Sequence, residues 1–200
     1  MTQTNNTATP SYIVDGTLTD GEAWVALSTV DLGSDTATVT FQTSTGANEW
    51  SQYSDLVLVS YARSAGSASS MRMNFNNDTA ANYGVQQLYT DGSSVTASES
   101  APANGQAYYD FQWVATTSQA ANVWSCSVTT LFDINSGKAK AGMGYIADDL
   151  TSGGYVSINA GCWYSADPIE EIDITMYGGS DDIKSGSRFD LFGVLPRMVS

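Results

Sequence analysis

The stretch Ile169–Tyr177, IEEIDITMY, decides how the chain is read. Ile172, Ile174 and Met176 fall on one side of an extended backbone, and Glu171, Asp173 and Thr175 fall on the other. Side chains repeat every second residue in a strand and about every 3.6 residues in a helix, so this is the spacing of a half-buried strand. The same period recurs on both sides of it. In SRFDLFGVLP, Phe189 and Leu191 share parity. In TATVTFQ (Thr36–Gln42), Ala37, Val39 and Phe41 lie on one side. In SMRMNF, Met71, Met73 and Phe75 oppose Arg72 and Asn74.

SDLVLVSYAR (Ser54–Arg63) differs, because its run Leu56–Val59 is apolar on both parities. That pattern predicts a strand buried on both faces, and the small-residue turn SAGSAS predicts that it forms a hairpin with SMRMNF. Further strands are expected in WVALSTV, YGVQQLYT, YYDFQWVAT, VWSCSVTTLF, KAKAGMGYIA and GYVSINAGCWYS. The turn signals GSD and DGSS separate neighbouring candidates, and SQAANVW is long enough for a short helix only. Residues 91–107, rich in Ser, Ala, Gly and Pro, read as the longest surface loop.

Roughly ten or eleven strand candidates, no sustained helical period and no βα alternation predict an all-β chain, a single antiparallel β-sandwich. Long return connections favour a jelly-roll-like path over a meander. The sandwich domain is expected over residues 13–200. Residues 1–12, MTQTNNTATPSY, are expected to form a short flexible N-terminal arm. Pro10 pushes Thr9 toward extended geometry, which suits the arm to strand addition at an exposed edge.

Composition narrows the function. The 200 residues carry 21 acids and 7 bases, a formal charge of −14, while charged residues make up only 14%. The bases are scattered apart from Lys138 and Lys140, which read as an exposed strand start. No basic footprint exists for nucleic acid or an acidic membrane surface. The N-terminus lacks a signal-peptide pattern and no window has the length of a membrane helix, so the chain reads as soluble and made in the cytoplasm.

The sequence contains no histidine, which removes the Ser-His-Asp and Cys-His chemistries and makes zinc ligation a poor fit. Glu170, Glu171 and Asp173 offer carboxylates, but parity separates Glu170 from the other two, and an exposed acidic strand face needs no catalytic explanation. Asp78, Asp148, Asp149, Asp181 and Asp182 read as turn residues, none at EF-hand spacing. A structural calcium assembled from two loops is the other reading. No catalytic residue, cofactor or metal ligand is therefore assigned. Cys126 shares parity with Trp124 and Val128, and Cys162 with Val156, Ile158 and Ala160, which reads as buried free thiols, with one disulfide across the core as the alternative. Trp24, Trp50, Trp113, Trp124 and Trp163 read as core, with a sugar platform as the alternative.

Three stretches taken together carry a resemblance: YSDLVLVSYARS, MRMNFNNDTAANYGVQQLYTDGSS and IEEIDITMYGGSDDIKSGSRFDLFGV. They resemble tailed-bacteriophage virion structural proteins of the β-sandwich, jelly-roll capsid decoration or cement type. The likeness covers roughly residues 53–94 and 155–195, and is most specific at Asn76–Tyr83 and Gly186–Gly193. The chain departs from that pattern in the tail VLPRMVS and in the second asparagine of FNNDT. The resemblance implies a virion protein on the capsid exterior, without enzymatic activity, partnered by copies of itself as a homotrimer and by the major capsid protein. A tail-fibre or spike module binding host glycan is the alternative. Within this pattern, Asn76, Asn77 and Asp78 shape a connection between strands, bonding locally to the backbone.

Overall fold

Alternation becomes strand in nearly every stretch just named. The computed structural model describes residues 13–14, 17–18, 24–90, 92–100, 106–148 and 155–195. Its strands are β1 (Ile13–Val14), β2 (Thr17–Leu18), β3 (Trp24–Asp31), β4 (Thr38–Gln42), β5 (Asp55–Ala62), β6 (Ser70–Phe75) and β7 (Tyr83–Thr90). They continue with β8 (Val95–Ser100), β9 (Tyr109–Trp113), β10 (Ser125–Phe132), β11 (Lys140–Ala147), β12 (Val156–Trp163), β13 (Glu171–Met176) and β14 (Arg188–Val194). Two short 3-10 turns, Gly46–Asn48 and Trp50–Gln52, are the helical pieces among the described residues. The N-terminal arm, residues 1–12, lies outside them.

An eight-stranded sheet runs β3-β14-β5-β10-β11-β12-β7-β8, and a four-stranded sheet runs β4-β13-β6-β9. Neighbours in both are antiparallel. The chain is an all-β sandwich of two antiparallel sheets. Its path is a jelly roll with additions. The strands β3, β4, β5, β6, β9, β10, β13 and β14, counted one to eight in chain order, form one sheet ordered one-eight-three-six and a second ordered two-seven-four-five. The hairpin β7-β8 and the pair β11-β12 widen the first of these. β1 and β2 pair with each other as a separate ribbon.

The expected β5–β6 hairpin does not form. β5 lies between β14 and β10 in the large sheet, whereas β6 lies between β13 and β9 in the small one. A strand apolar on both parities needs a neighbour along each edge and cover on each face, which a central position supplies. Arg63, at the exit of β5, is buried and fixes the crossing. Its guanidinium donates to the carbonyls of Thr116, Gln119, Ala120 and Val123 at 2.6–3.0 Å. The Gln119 and Ala120 carbonyls are acceptors a helix through SQAANVW would need, and the segment forms turns instead. The expected loop at 91–107 also holds a strand, β8, which the DGSS turn folds back onto β7.

In β4, β5, β6, β13 and β14 the core forms where the parities predicted it. Leu56, Leu58, Phe189 and Leu191 of the large sheet and Val39, Phe41, Met71, Met73, Ile172 and Ile174 of the small sheet are buried in one cluster. Ala37 precedes β4 and is exposed. Phe75, Tyr83, Tyr109 and Trp163 pack at one end, with Phe75–Trp163 ring centroids 5.6 Å apart and Phe75–Tyr83 5.9 Å apart.

FNNDT is the connection from β6 to β7, and so from one sheet to the other. Asn76 and Asn77 take left-handed backbone angles, φ 51° and 57°, which asparagine tolerates better than most residues. Asn76 Oδ1 accepts from the backbone N–H of Glu170 and Glu171 at 2.8 and 3.0 Å. The Asp78 carboxylate accepts from Trp163 Nε1 at 2.7 Å, Asn82 Nδ2 at 2.9 Å and the Ala80 N–H at 2.9 Å. Burial raises the Asp78 carboxyl pKa, but the bonds from Asn82, Trp163 and Ala80 outweigh it and hold the pKa below its ordinary value.

β9 sits unusually deep. Gly142 and Gly161 oppose each other on the inner face of the large sheet, and the Tyr109 ring lies against both. A Cβ on Gly161 would fall 2.4 Å from Tyr109 Cε2 and 2.8 Å from the Gly84 carbonyl oxygen. Gly161→Ala is therefore expected to cost about 2–3 kcal/mol by overpacking. Gly137→Ala, with nothing within 4 Å of the new methyl, serves as the control and should stay within about 0.5 kcal/mol of the parent. Urea unfolding of the two variants checks the difference.

Candidate functional site: an uncharged sheet face

The outer face of the large sheet follows from register. Val59, Val128, Tyr145, Ile158, Leu88 and Ala97 stand side by side across β5, β10, β11, β12, β7 and β8. One row away stand Tyr61, Cys126, Ala147, Val156, Thr90 and Val95, and on the other side Val57, Thr130, Met143, Ala160, Gln86 and Glu99. Glu99, on the edge strand, is the one charged residue in these three rows. Tyr145 is 56% exposed, Leu88 49%, Ile158 41% and Val95 73%, so these side chains are surface and not core. A shallow groove of about 520 Å³ crosses the face between β12, β7 and β8, lined by Leu88, Ala97, Ile158 and Ala160 among others.

The sequence builds this face by inverting the usual arrangement. In β10 the buried parity is Ser125, Ser127, Thr129 and Leu131, while Val128 and Phe132 point out. In β12 the buried parity includes Ser157 and Asn159, while Val156 and Ile158 point out. β11 buries Gly142 and Gly144 and exposes Tyr145. The inner positions are small or polar because β9 descends onto them. Ser60 and Ser127 hydroxyls, 2.7 Å apart, both donate to Gln112 Oε1 of β9.

This inversion corrects the reading of the cysteines. Cys126 is exposed and Cys162 half-buried, both as free thiols, on the outer face and not in the core. They flank β11 at opposite ends, Cys126 beside Ala147 and Cys162 beside Ala141, which places them about 20 Å apart. A bridge between them within one chain is excluded by that distance.

The rest of the exterior is different. Toward β14 and β3 the same sheet becomes ionic, with Arg188 Nε 2.8 Å from Asp190 Oδ2 and Thr29 Oγ1 donating to Asp190 Oδ1 at 2.7 Å. The Arg188 bond holds the Asp190 carboxyl below its ordinary pKa. The small sheet turns Glu171, Asp173 and Thr175 outward, beside Thr38 and Thr40. Asp173 accepts from Thr40 at 2.5 Å, and Glu171 accepts from Asn77.

The other residues singled out in the sequence do not converge. Glu170 is exposed just before β13, and its N–H is held by Asn76. The Asp181 carboxylate accepts from the Ala68 N–H at 2.6 Å and closes over Gly66. Asp182 is exposed, Asp148 follows β11, and Asp149 lies outside the described residues. Among the described residues no group of three or more carboxylates and thiols gathers at metal-binding distance. Trp50 and Trp163 are buried, Trp24 is exposed beside Phe192, Trp113 stacks on Tyr155 at 4.6 Å, and Trp124 stacks on Tyr61 at 5.5 Å. Lys138 is exposed, but Lys140 is buried, so the expected basic surface pair does not exist. Lys140 Nζ donates to the carbonyls of Ser136 and Lys138 at 2.6 Å each, and burial pulls its pKa down.

No protein-family model matches the chain, and no curated protein is significantly similar to it.

Asp110 is a site that strand parity did not reveal. It stands opposite Arg72 across β9 and β6, and its Oδ1 is buried without a hydrogen-bond partner. Arg72 is engaged elsewhere, donating to Thr175 Oγ1 at 3.1 Å and lying 4.9 Å over the Tyr108 ring. Burial pushes the Asp110 carboxyl up to about 6, with Arg72 pulling the other way. The folded state thus holds this proton more tightly than the unfolded chain, whose carboxyl titrates near 3.8. Its contribution to stability is complete below 3.8 and is lost as pH rises through about 6. Asp110→Asn should raise the melting temperature at pH 7.5, with a gain on the order of 1–2 kcal/mol. The gain should vanish near pH 3.5, as thermal unfolding across that range would show.

Proposed function

We propose that the chain is a structural subunit of a tailed-phage particle, a capsid decoration protein that acts by being assembled. The observation that carries this reading is the inverted large sheet, whose outer face is broad, apolar and almost free of charge. Such a face is costly to leave in water. Each Val, Leu, Ile or aromatic side chain recovers about 1.5–3 kcal/mol on full burial. Exposed apolar patches on monomers rarely exceed a few hundred Å², and larger ones mark contacts with other molecules.

Two further features support it. The jelly-roll path is one that viral coat and lectin domains use, although a fold by itself does not assign a function. The segments that resemble virion decoration proteins include β5, β6, β7, β13 and β14, the framework of the sandwich. On this reading the work is mechanical. Contacts repeated by particle symmetry resist internal pressure, and the acidic small sheet faces away from the contact.

Quantitative gel or mass-spectrometric analysis of purified virions should find the chain in hundreds of copies per particle. Particles lacking it should rupture sooner under heat or low ionic strength than complete ones. A stoichiometry of a few copies, or equal survival of the two particle types, would sink the decoration role.

A further inference from the structure

We infer that the uncharged face is where two copies of this chain meet, sheet against sheet, about a two-fold axis. The inference rests on reading that face as an assembly surface, and it names the first protein the face meets. Three observations carry it. The first is charge. A chain of net charge −14 brings carboxylates together wherever two copies touch, and its seven bases are too few to offset them. A foreign partner can answer acidic residues with basic ones, which also speeds encounter, so a contact with one need not be cleared of charge. An identical partner has only the same acids to present. Clearing charge from the contact is what self-association of this chain requires.

The second is area. Six strands spaced about 4.8 Å apart, each contributing the roughly five residues that the three rows span at 3.3 Å, give a flat patch on the order of 450 Å². The relief of exposed side chains such as Tyr145 and Leu88 adds to this. With that relief the patch reaches roughly 500 Å² per partner, the ~1,000 Å² in total that a specific interface needs.

The third is shape. Valine, isoleucine and tyrosine rows on an open antiparallel sheet pack face to face against another sheet about 10 Å away. A two-fold axis through the centre of the face sets the Val128–Tyr145–Ile158 row across its own copy, the isologous arrangement commonest among homo-oligomers.

The test uses the full chain. Sedimentation equilibrium should give the mass of two 21.2 kDa chains. Tyr145→Lys combined with Ile158→Lys should halve that mass while the thermal unfolding and far-ultraviolet spectrum persist, because both side chains are exposed in the single chain. Cys126, on the same face, should resist alkylation in the parent protein and react freely in the double variant. A single-chain mass for the parent, a three-chain mass, or a pair that survives the substitutions would each overturn the inference. The two readings fail separately. A two-chain species absent from virions removes the particle role and leaves this contact standing. A virion protein of high copy number that is single-chain in solution, with a reactive Cys126, does the reverse.

Discussion

The closeness of β9 to the large sheet is the constraint on which the rest depends. Sheets ordinarily pack about 10 Å apart, with side chains from both filling the gap. Over β10, β11 and β12 that gap is narrowed by Gly142, Gly144 and Gly161, and Tyr109 and Gln112 of β9 occupy the space. Larger side chains cannot enter from the large sheet at these positions. Where β9 commits the inner parity to glycine, serine, threonine and asparagine, apolar residues have only the outer parity left, and Leu131, Ile146 and Trp163 turn inward only toward the strand ends. The uncharged outer face follows from the way the sandwich closes.

The buried cations act in the same direction. Arg63 and Lys140 are enclosed and donate their hydrogen bonds to backbone carbonyls. Arg188 is paired with Asp190, and Lys184 with Asp35 at 3.3 Å. Of the seven bases, these four are therefore committed inside the molecule or to a neighbouring acid. The surface is more acidic than composition alone conveys, and the contrast between the ionic exterior and the uncharged face sharpens accordingly. Removing Arg63 would take a donor from four carbonyls; those of Thr116 and Ala120 keep the N–H of Gln119 and Val123, those of Gln119 and Val123 lose theirs, and each acceptor left unpaired costs about 1–3 kcal/mol.

Much of the fold was legible in the sequence because strand parity is a local property. The buried sides of β4, β6, β13 and β14 follow from their own residues, and so does the turn role of Asn76, Asn77 and Asp78. Which parity faces inward is not local. In β10 and β12 the apolar residues would be assigned to the core by any single-strand reading, and only the arrival of β9 reverses them. The absent β5–β6 hairpin has the same cause, since SAGSAS is a sound turn but the crossing is settled by Arg63 and a loop more than fifty residues away. Asp110 was invisible because neither the engagement of Arg72 by Thr175 nor the depth of β9 is written in YYDFQW.

The inverted strands also bear on which contacts the large sheet invites. An apolar open sheet invites pairing at its edges as well as stacking on its face. Both edges of the large sheet are polar in part: β8 carries Thr96 and Ser98, and β3 carries Ser28, Thr29 and Asp31. Beside β3, Arg188 and Asp190 form an ionic rim. Edge pairing by another copy would bring its own acidic chain alongside these groups, whereas stacking by the face keeps the charged rims apart. The charge excluded from the face is thus retained where it opposes uncontrolled growth. That division favours a closed contact between faces over an open run of edge-paired sheets.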